Sequence, residues 1–350
     1  MAAKRTAPRA LLVFVVVAIA VPLILLVTQA DGGHRAAVAA PPELAVYAER
    51  APHVLSQLNA YGVQGVVRGA PSTPPSALPP LSPDRFNVPE AEYRAFAGSQ
   101  LGLMEGQITD LEGALAAGDR AAAQDAWRGA YSRYLELGAV YLEGQIATLN
   151  QAIDGNPGGL PGGIRSPQFT GLHRIELGLW TGGPLSSLLP YAHKLAADVR
   201  ELRRVLPSVQ ISPLDYATRA HEILEDAVRD LLSGTDVPWS GEGVLGTEDG
   251  ILATKEVLLT LKPLLFKREN VLPVANAQLA TLEGVMERLK AAHGGRLPTN
   301  GELTQEQAEL LDNAMGGALE ALAQVPGALE TAYTPVIPRI PRSAVRIDQP

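Results

Sequence analysis

The sequence contains no cysteine. Disulfides, thiolate-held zinc or iron–sulfur clusters, cysteine nucleophiles and a lipid-modified cysteine anchor are therefore all excluded. Aromatic residues are scarce at 5%, while alanine and leucine are plentiful, a balance that favours helix over sheet. Basic residues are outnumbered by acidic ones, 29 to 37, for a formal charge of −8. Nucleic-acid binding rests on cations that neutralise phosphates, so this deficit argues against it. It suits a soluble partner or a site for cations. No run alternates with period two for long enough to build a sheet.

Several chemistries lack their signatures. There is no GxSxG elbow and no P-loop. The glycines between Pro157 and Gly163 do not sit between a strand and a helix, so no dinucleotide fold follows. Gly241-Glu242-Gly243 and Glu248-Asp249-Gly250 are acidic turns without the spacing of an EF-hand loop.

What is present begins with a membrane signal over residues 1–30. Lys4, Arg5 and Arg9 precede an uncharged run from Ala10 to Val27, which as a helix would reach roughly 27 Å, close to the hydrocarbon thickness of a bilayer. The basic flank places the N-terminus inside and the remainder outside the cytoplasm. Thr28-Gln29-Ala30 would serve as a cleavage site, but the length of the run favours an uncleaved, single-pass anchor. Residues 31–89 form an extracytoplasmic spacer, with seven prolines in the nineteen residues from Pro71 to Pro89. Such a stretch favours extended polyproline conformation and reads as a linker.

From residue 90 to about 330 the periodicity is helical. Tyr93, Phe96, Met104, Ile108, Leu111 and Leu115 share a face, and Gly118-Asp119 punctuates the chain. Further helices are predicted over about Arg120–Leu149, around Leu172–Leu179, and over Ser187–Leu206, Pro213–Ser233, Asp249–Phe266, Val274–His293 and Thr304–Ala323. The fold class is all-α, with two helix bundles. Residues 331–350, with Pro335, Pro338 and Pro341, read as a tail.

Two clusters carry chemistry. His173 and Glu176 lie three apart on a helix, so an imidazole and a carboxylate can converge on one ion, such as iron, copper or zinc. Solvated pairs at this spacing are common, and two ligands do not make a site. Ala220-His221-Glu222-Ile223-Leu224-Glu225-Asp226 begins like the HExxH of zinc peptidases, but Glu225 stands where the second histidine belongs, so the standard zincin reading fails. Taken alone, an ordinary amphipathic helix with a solvated acidic face accounts for it better. His193, on the following helix near Asp198, reads alone as a surface histidine. Trp127, Tyr131, Tyr134 and Tyr141 form a core or pocket stripe.

Taken together, Gly159-Leu160-Pro161-Gly162-Gly163, the stretch from Thr170 to Trp180, Arg219 to Asp226 and Leu137-Gly138-Ala139-Val140-Tyr141 resemble the EfeO/EfeM branch of the imelysin-like proteins. The resemblance covers about Glu92 to Glu330. It implies an extracytoplasmic body of two bundle-like halves and a metal site built around the HxxE motif. It also implies a role in elemental iron uptake, beside a membrane iron permease and a haem-containing peroxidase. On this basis His173 and Glu176 are the first metal ligands expected, with Glu222 and either His193 or Glu225 completing the shell. Iron is the expected ion, with copper or zinc as other candidates.

Some positions depart from the family pattern. Gly241-Glu242-Gly243-Val244-Leu245 replaces the usual Ser-His-Thr-Asp/Asn-Leu after Trp239-Ser240, and Gly144 and Gln145 alter an acidic stretch. A cupredoxin-like module is not recognisable, which fits the shorter EfeM-type arrangement. Two other functions compete with metal supply. One is an imelysin-like metallopeptidase with Glu222 or Glu225 as base; the other is a surface interaction module with a degenerate metal site.

Overall fold

The computed structural model describes residues 81–140, 146–266, 268 and 270–329. The anchor segment, the spacer as far as residue 80, Tyr141 to Gln145 and the tail lie outside the described residues. Among the described residues no helix is long and apolar enough to cross a membrane, and no strand forms.

A 3-10 turn, Pro83–Phe86, leads into α1, Asn87–Ala117. The helix buries Tyr93, Ala97, Leu101, Met104, Ile108, Leu111 and Leu115, a stripe at spacings of three and four. Gly118 closes it in the left-handed conformation. Asp119 then caps α2, Arg120–Leu135, by accepting from the Ala122 amide.

Helical periodicity over-runs the end of α2. The expected helix to Leu149 stops at Leu135, because the turn that follows is held by tertiary partners. Both the Nε and Nη2 of Arg219 donate to the Gly138 carbonyl, at 3.2 and 2.9 Å. The Tyr93 hydroxyl accepts from the Ala139 amide at 3.2 Å and lies within reach of the Glu136 and Leu137 carbonyls. Backbone groups claimed in this way no longer propagate a helix. Helix α3 resumes at Ala147–Asp154.

The remaining helices are α4, Gly171–Thr181; α5, Leu189–Val205; α6, Pro213–Asp226; α7, Gly243–Leu265; α8, Val271–Ala292; α9, Gln305–Leu322; and the short α10, Gln324–Ala328. The expected helix from Asp249 therefore starts six residues earlier, and Thr304 is the cap of α9, its hydroxyl and Gln307 forming a reciprocal capping box. Helices α1, α2, α3, α4 and α5 pack among themselves, as do α6 to α10. Contacts of α7 with α1 and α2 join the two groups into one hydrophobic core.

Two local features position the site. The end of α6 widens into a π-helical turn, Ala227–Leu232, a distortion that recurs at functional sites because it re-aims side chains. The C-terminal end of α3 also meets the N-terminal end of α4 backbone to backbone. Gly155 and Gly171 both have φ of 77°. A Cβ on Gly155 would run into the Thr170 carbonyl, and one on Gly171 into the carbonyls of Ala152 and Ile153. Only glycine permits this approach and these angles together.

Candidate metal centre

That contact brings Asp154, the last residue of α3, to His173, in the first turn of α4. The imidazole is 1% exposed and its two nitrogens have different surroundings. Nδ1 lies 2.9 Å from Glu176 Oε2. Nε2 lies 3.4 Å from Asp154 Oδ1 and 3.4 Å from Asp236 Oδ1. It has no hydrogen-bond partner. These three residues are the one group of His, Asp and Glu among the described residues whose ligand atoms converge closely enough for a single ion.

Glu176 is fully buried and its second oxygen is also committed. Oε1 accepts from the Trp239 amide at 3.2 Å, the Ser240 amide at 2.8 Å and the Ser240 hydroxyl at 2.8 Å. A carboxylate so held accepts the Nδ1 proton of His173, which fixes the ring and presents Nε2 to the two aspartates. Asp236 follows the π turn. Its Oδ2 accepts from the Tyr131 hydroxyl at 2.6 Å, and the Asn156 side-chain amide approaches its Oδ1 at 3.5 Å. The Asn156 backbone amide donates to the other oxygen of Asp154 at 3.2 Å, so one asparagine spans both acids.

Burial alone would push the His173 pKa down, but the Asp154 charge, with Asp236 and Glu176 beside it, holds it well above the ordinary imidazole value. Asp236 shows the converse. Burial would raise it, yet His173, then Tyr131 and Asn156, keep it below the usual carboxylate range. Tyr131 is raised well above an ordinary phenol by burial and by Asp236.

Asp154 and Asp236 are about one-fifth exposed, and they open on a cleft of about 160 Å3. Arg219, Asp226, Asp230 and the π-turn residues Ala227 and Leu231 form its other walls. The donor set of one imidazole and two carboxylates suits first-row divalent metals. The orphaned Nε2, buried and facing two acids, fits an ion in that place.

The other residues singled out from the sequence lie elsewhere. Glu222 pairs with Arg219 at 3.4 Å, and the same guanidinium reaches Asp226 at 3.0 Å. Glu225 is 58% exposed and pairs with His221 at 3.7 Å. His193 is 65% exposed on α5, 4.0 Å from Glu112. None of the three belongs to the converging group. Glu176 does meet His173, but through the ring nitrogen that faces away from the aspartates. Asp154 and Asp236 were not visible as ligands in the sequence. Their only signal is an acidic residue at the end of a helix or in a turn, beside Gly155 and Gly234-Thr235.

Fold and site together define, over the described residues, a helical protein with a buried histidine beside two aspartates that line a cleft. Residues 90–235 match the family model described as Imelysin (Peptidase_M75). The iron uptake system component EfeO of Yersinia pseudotuberculosis serotype I (strain IP32953) is 22% identical over 251 residues, which is 70% of this chain and 64% of the relative. EfeO of Yersinia pestis matches to the same extent. The iron uptake system component EfeM of Pseudomonas syringae pv. syringae (strain B728a) is 20% identical over 228 residues, 65% of this chain and 79% of that protein. The chain thus spans under two-thirds of the length of the EfeO relatives. It is similar to the imelysin-like proteins, and among them to EfeO and EfeM.

Proposed function

We propose that this protein is an extracytoplasmic component of an iron-uptake system, which holds iron at Asp154, His173 and Asp236 and supplies it to a membrane iron permease. Glu176 acts in this reading as the group that orients the imidazole. The apolar run from Ala10 to Val27 tethers the body to the membrane in this reading, and a haem-containing peroxidase works beside it. The single observation that carries the reading is the buried Nε2 of His173, without a hydrogen-bond partner and 3.4 Å from an oxygen of each of two aspartates that line a cleft. The names of the EfeO and EfeM relatives support iron as the cargo.

Three protein ligands leave coordination positions open to water, which suits a carrier that must release its ion. The negative charge of the chain favours cation capture over the roughly 8–10 Å that physiological salt allows.

Titration of the full chain with ferrous, ferric, copper and zinc ions, beside His173→Ala and Asp236→Asn, tests this. Iron bound at one equivalent, and lost in both variants, is the expected result. Equal binding by wild type and both variants overturns it. A wild type that binds no ion yet captures an envelope partner would favour the surface interaction module.

A further inference from the structure

An unbroken column of aromatic rings runs from the metal cleft to the protein surface. The Tyr131 ring meets the His173 ring edge-on, with centroids 5.9 Å apart. Tyr131 stacks on Trp127, one turn earlier on α2, at 4.9 Å and 15°. Trp127 meets Trp180, at the end of α4, edge-on at 5.1 Å. Tyr131 and Trp127 are fully buried. Trp180 is half-exposed, with the Arg128 guanidinium 5.4 Å from its ring.

We propose that Tyr131, Trp127 and Trp180 carry single electrons between the cleft and a one-electron, outer-sphere acceptor at the Trp180 face. Phenol and indole are the readily oxidised side chains of a protein that has no cysteine. A chain this poor in aromatics nevertheless places two of its three tryptophans in this one column. Aliphatic side chains would fill the same core volume, so packing alone does not require these ring types.

Each stop also has the proton arrangement that its chemistry needs. The Trp127 indole N–H donates to the Leu172 carbonyl at 2.9 Å and has no base beside it, so Trp127 is oxidised as a radical cation and passes the hole on. Oxidised tyrosine must lose its phenolic proton, and Tyr131 already donates to Asp236 Oδ2 at 2.6 Å. The acceptor takes one electron from Trp180; Trp127 refills Trp180, and Tyr131 refills Trp127 as its proton shifts to Asp236. One electron from a ferrous ion in the cleft then restores Tyr131, and the proton returns to the phenol oxygen. The balance is one ferrous ion and one oxidised acceptor giving one ferric ion and one reduced acceptor, with no net proton. The metal end of this sequence rests on the function proposed above; the column itself does not.

The test uses the full chain without metal. A flash-quenched ruthenium tris-bipyridine complex oxidises the surface, and transient absorption with freeze-quench electron paramagnetic resonance follows the radical. The expected end product is a neutral tyrosyl radical that is absent in Tyr131→Phe and reduced about tenfold or more in Trp127→Phe and Trp180→Phe. Trp180→Phe, at the half-exposed end, keeps the test decisive if Trp127→Phe fails to fold. Adding one equivalent of ferrous ion should shorten the radical lifetime about tenfold. A tyrosyl yield unchanged in Trp180→Phe, or a radical that persists in Tyr131→Phe, overturns the proposal. Loss of metal binding with radical migration intact would instead count against the metal reading alone.

Discussion

Glu176 holds His173 by the nitrogen that faces away from the aspartates, Oε2 to Nδ1 at 2.9 Å, while its other oxygen is clamped by Trp239 and Ser240. The two residues of the HxxE pair therefore have unequal parts to play. Glu176→Gln keeps the shape but weakens the acceptor for Nδ1–H, and substitutions of this kind typically lower metal affinity about 10–100-fold. His173→Ala removes a proposed ligand and should abolish stoichiometric binding. Competition titration with a chromogenic chelator separates the two outcomes.

Metal binding should be strongly pH-dependent. The His173 pKa is raised in the folded, metal-free protein, mainly through Asp154 against the opposing effect of burial. An ion must then expel the Nε2 proton, so affinity rises with pH and binding releases a proton. The stability sign is opposite for the metal-free form. A folded pKa above the unfolded value, about 6.5, gives stability that is complete below that value and is lost as pH rises through the folded pKa. Melting temperatures of metal-free and loaded protein, compared at mildly acidic and alkaline pH, should diverge as pH rises.

Asp249, away from the cleft ligands, should govern a second pH effect. It is 5% exposed on α7, and its Oδ2 lacks a partner. Burial, then Glu136 and Glu248, push its pKa up to about 8 against the Ser132 hydroxyl and Arg133. The folded state keeps this proton after the unfolded chain has lost it, so stability falls between about pH 4 and pH 8. Asp249→Asn lacks that loss. Its urea midpoint relative to wild type should climb over the same range, and a constant offset would refute the assignment.

Gly171→Ala should damage both fold and site. The added methyl meets the Ala152 and Ile153 carbonyls, and φ of 77° is strained for alanine. Such strain and overpacking cost about 2 kcal/mol or more. The adjustment must also move Asp154 relative to His173, so urea denaturation and metal titration should report losses together. Gly106→Ala, with open space around its Cβ position, serves as the control and should be neutral or mildly stabilising.

The helical body was legible because its signals are local. The buried stripe from Tyr93 to Leu115, the Gly118-Asp119 stop and the Thr304 cap each act within a few residues. The His173–Glu176 pair was legible for the same reason. Asp154 and Asp236 were not, since neither has a periodic partner and only the packing of α3 on α4 and the π turn after α6 bring them together. Arg219 shows the same limit from another side. Its reach to Gly138 helps end α2 fourteen residues before the periodicity does, and no window around residue 138 contains that information.

The converging oxygen and nitrogen atoms come from three separate stretches of chain: the tip of α3, the start of α4 and the turn beyond α6. An unfolded polypeptide offers these groups only one at a time, each far too weak a hold for a hydrated cation. On the function proposed above, an ion would be taken up only once the chain has folded, and it would then protect the fold that captured it. At a free-ion concentration a hundred times the dissociation constant this linkage adds about 2.7 kcal/mol. Loading and resistance to unfolding or proteolysis would then be two readings of one event, so the molecules that survive a protease would be enriched in those that hold an ion.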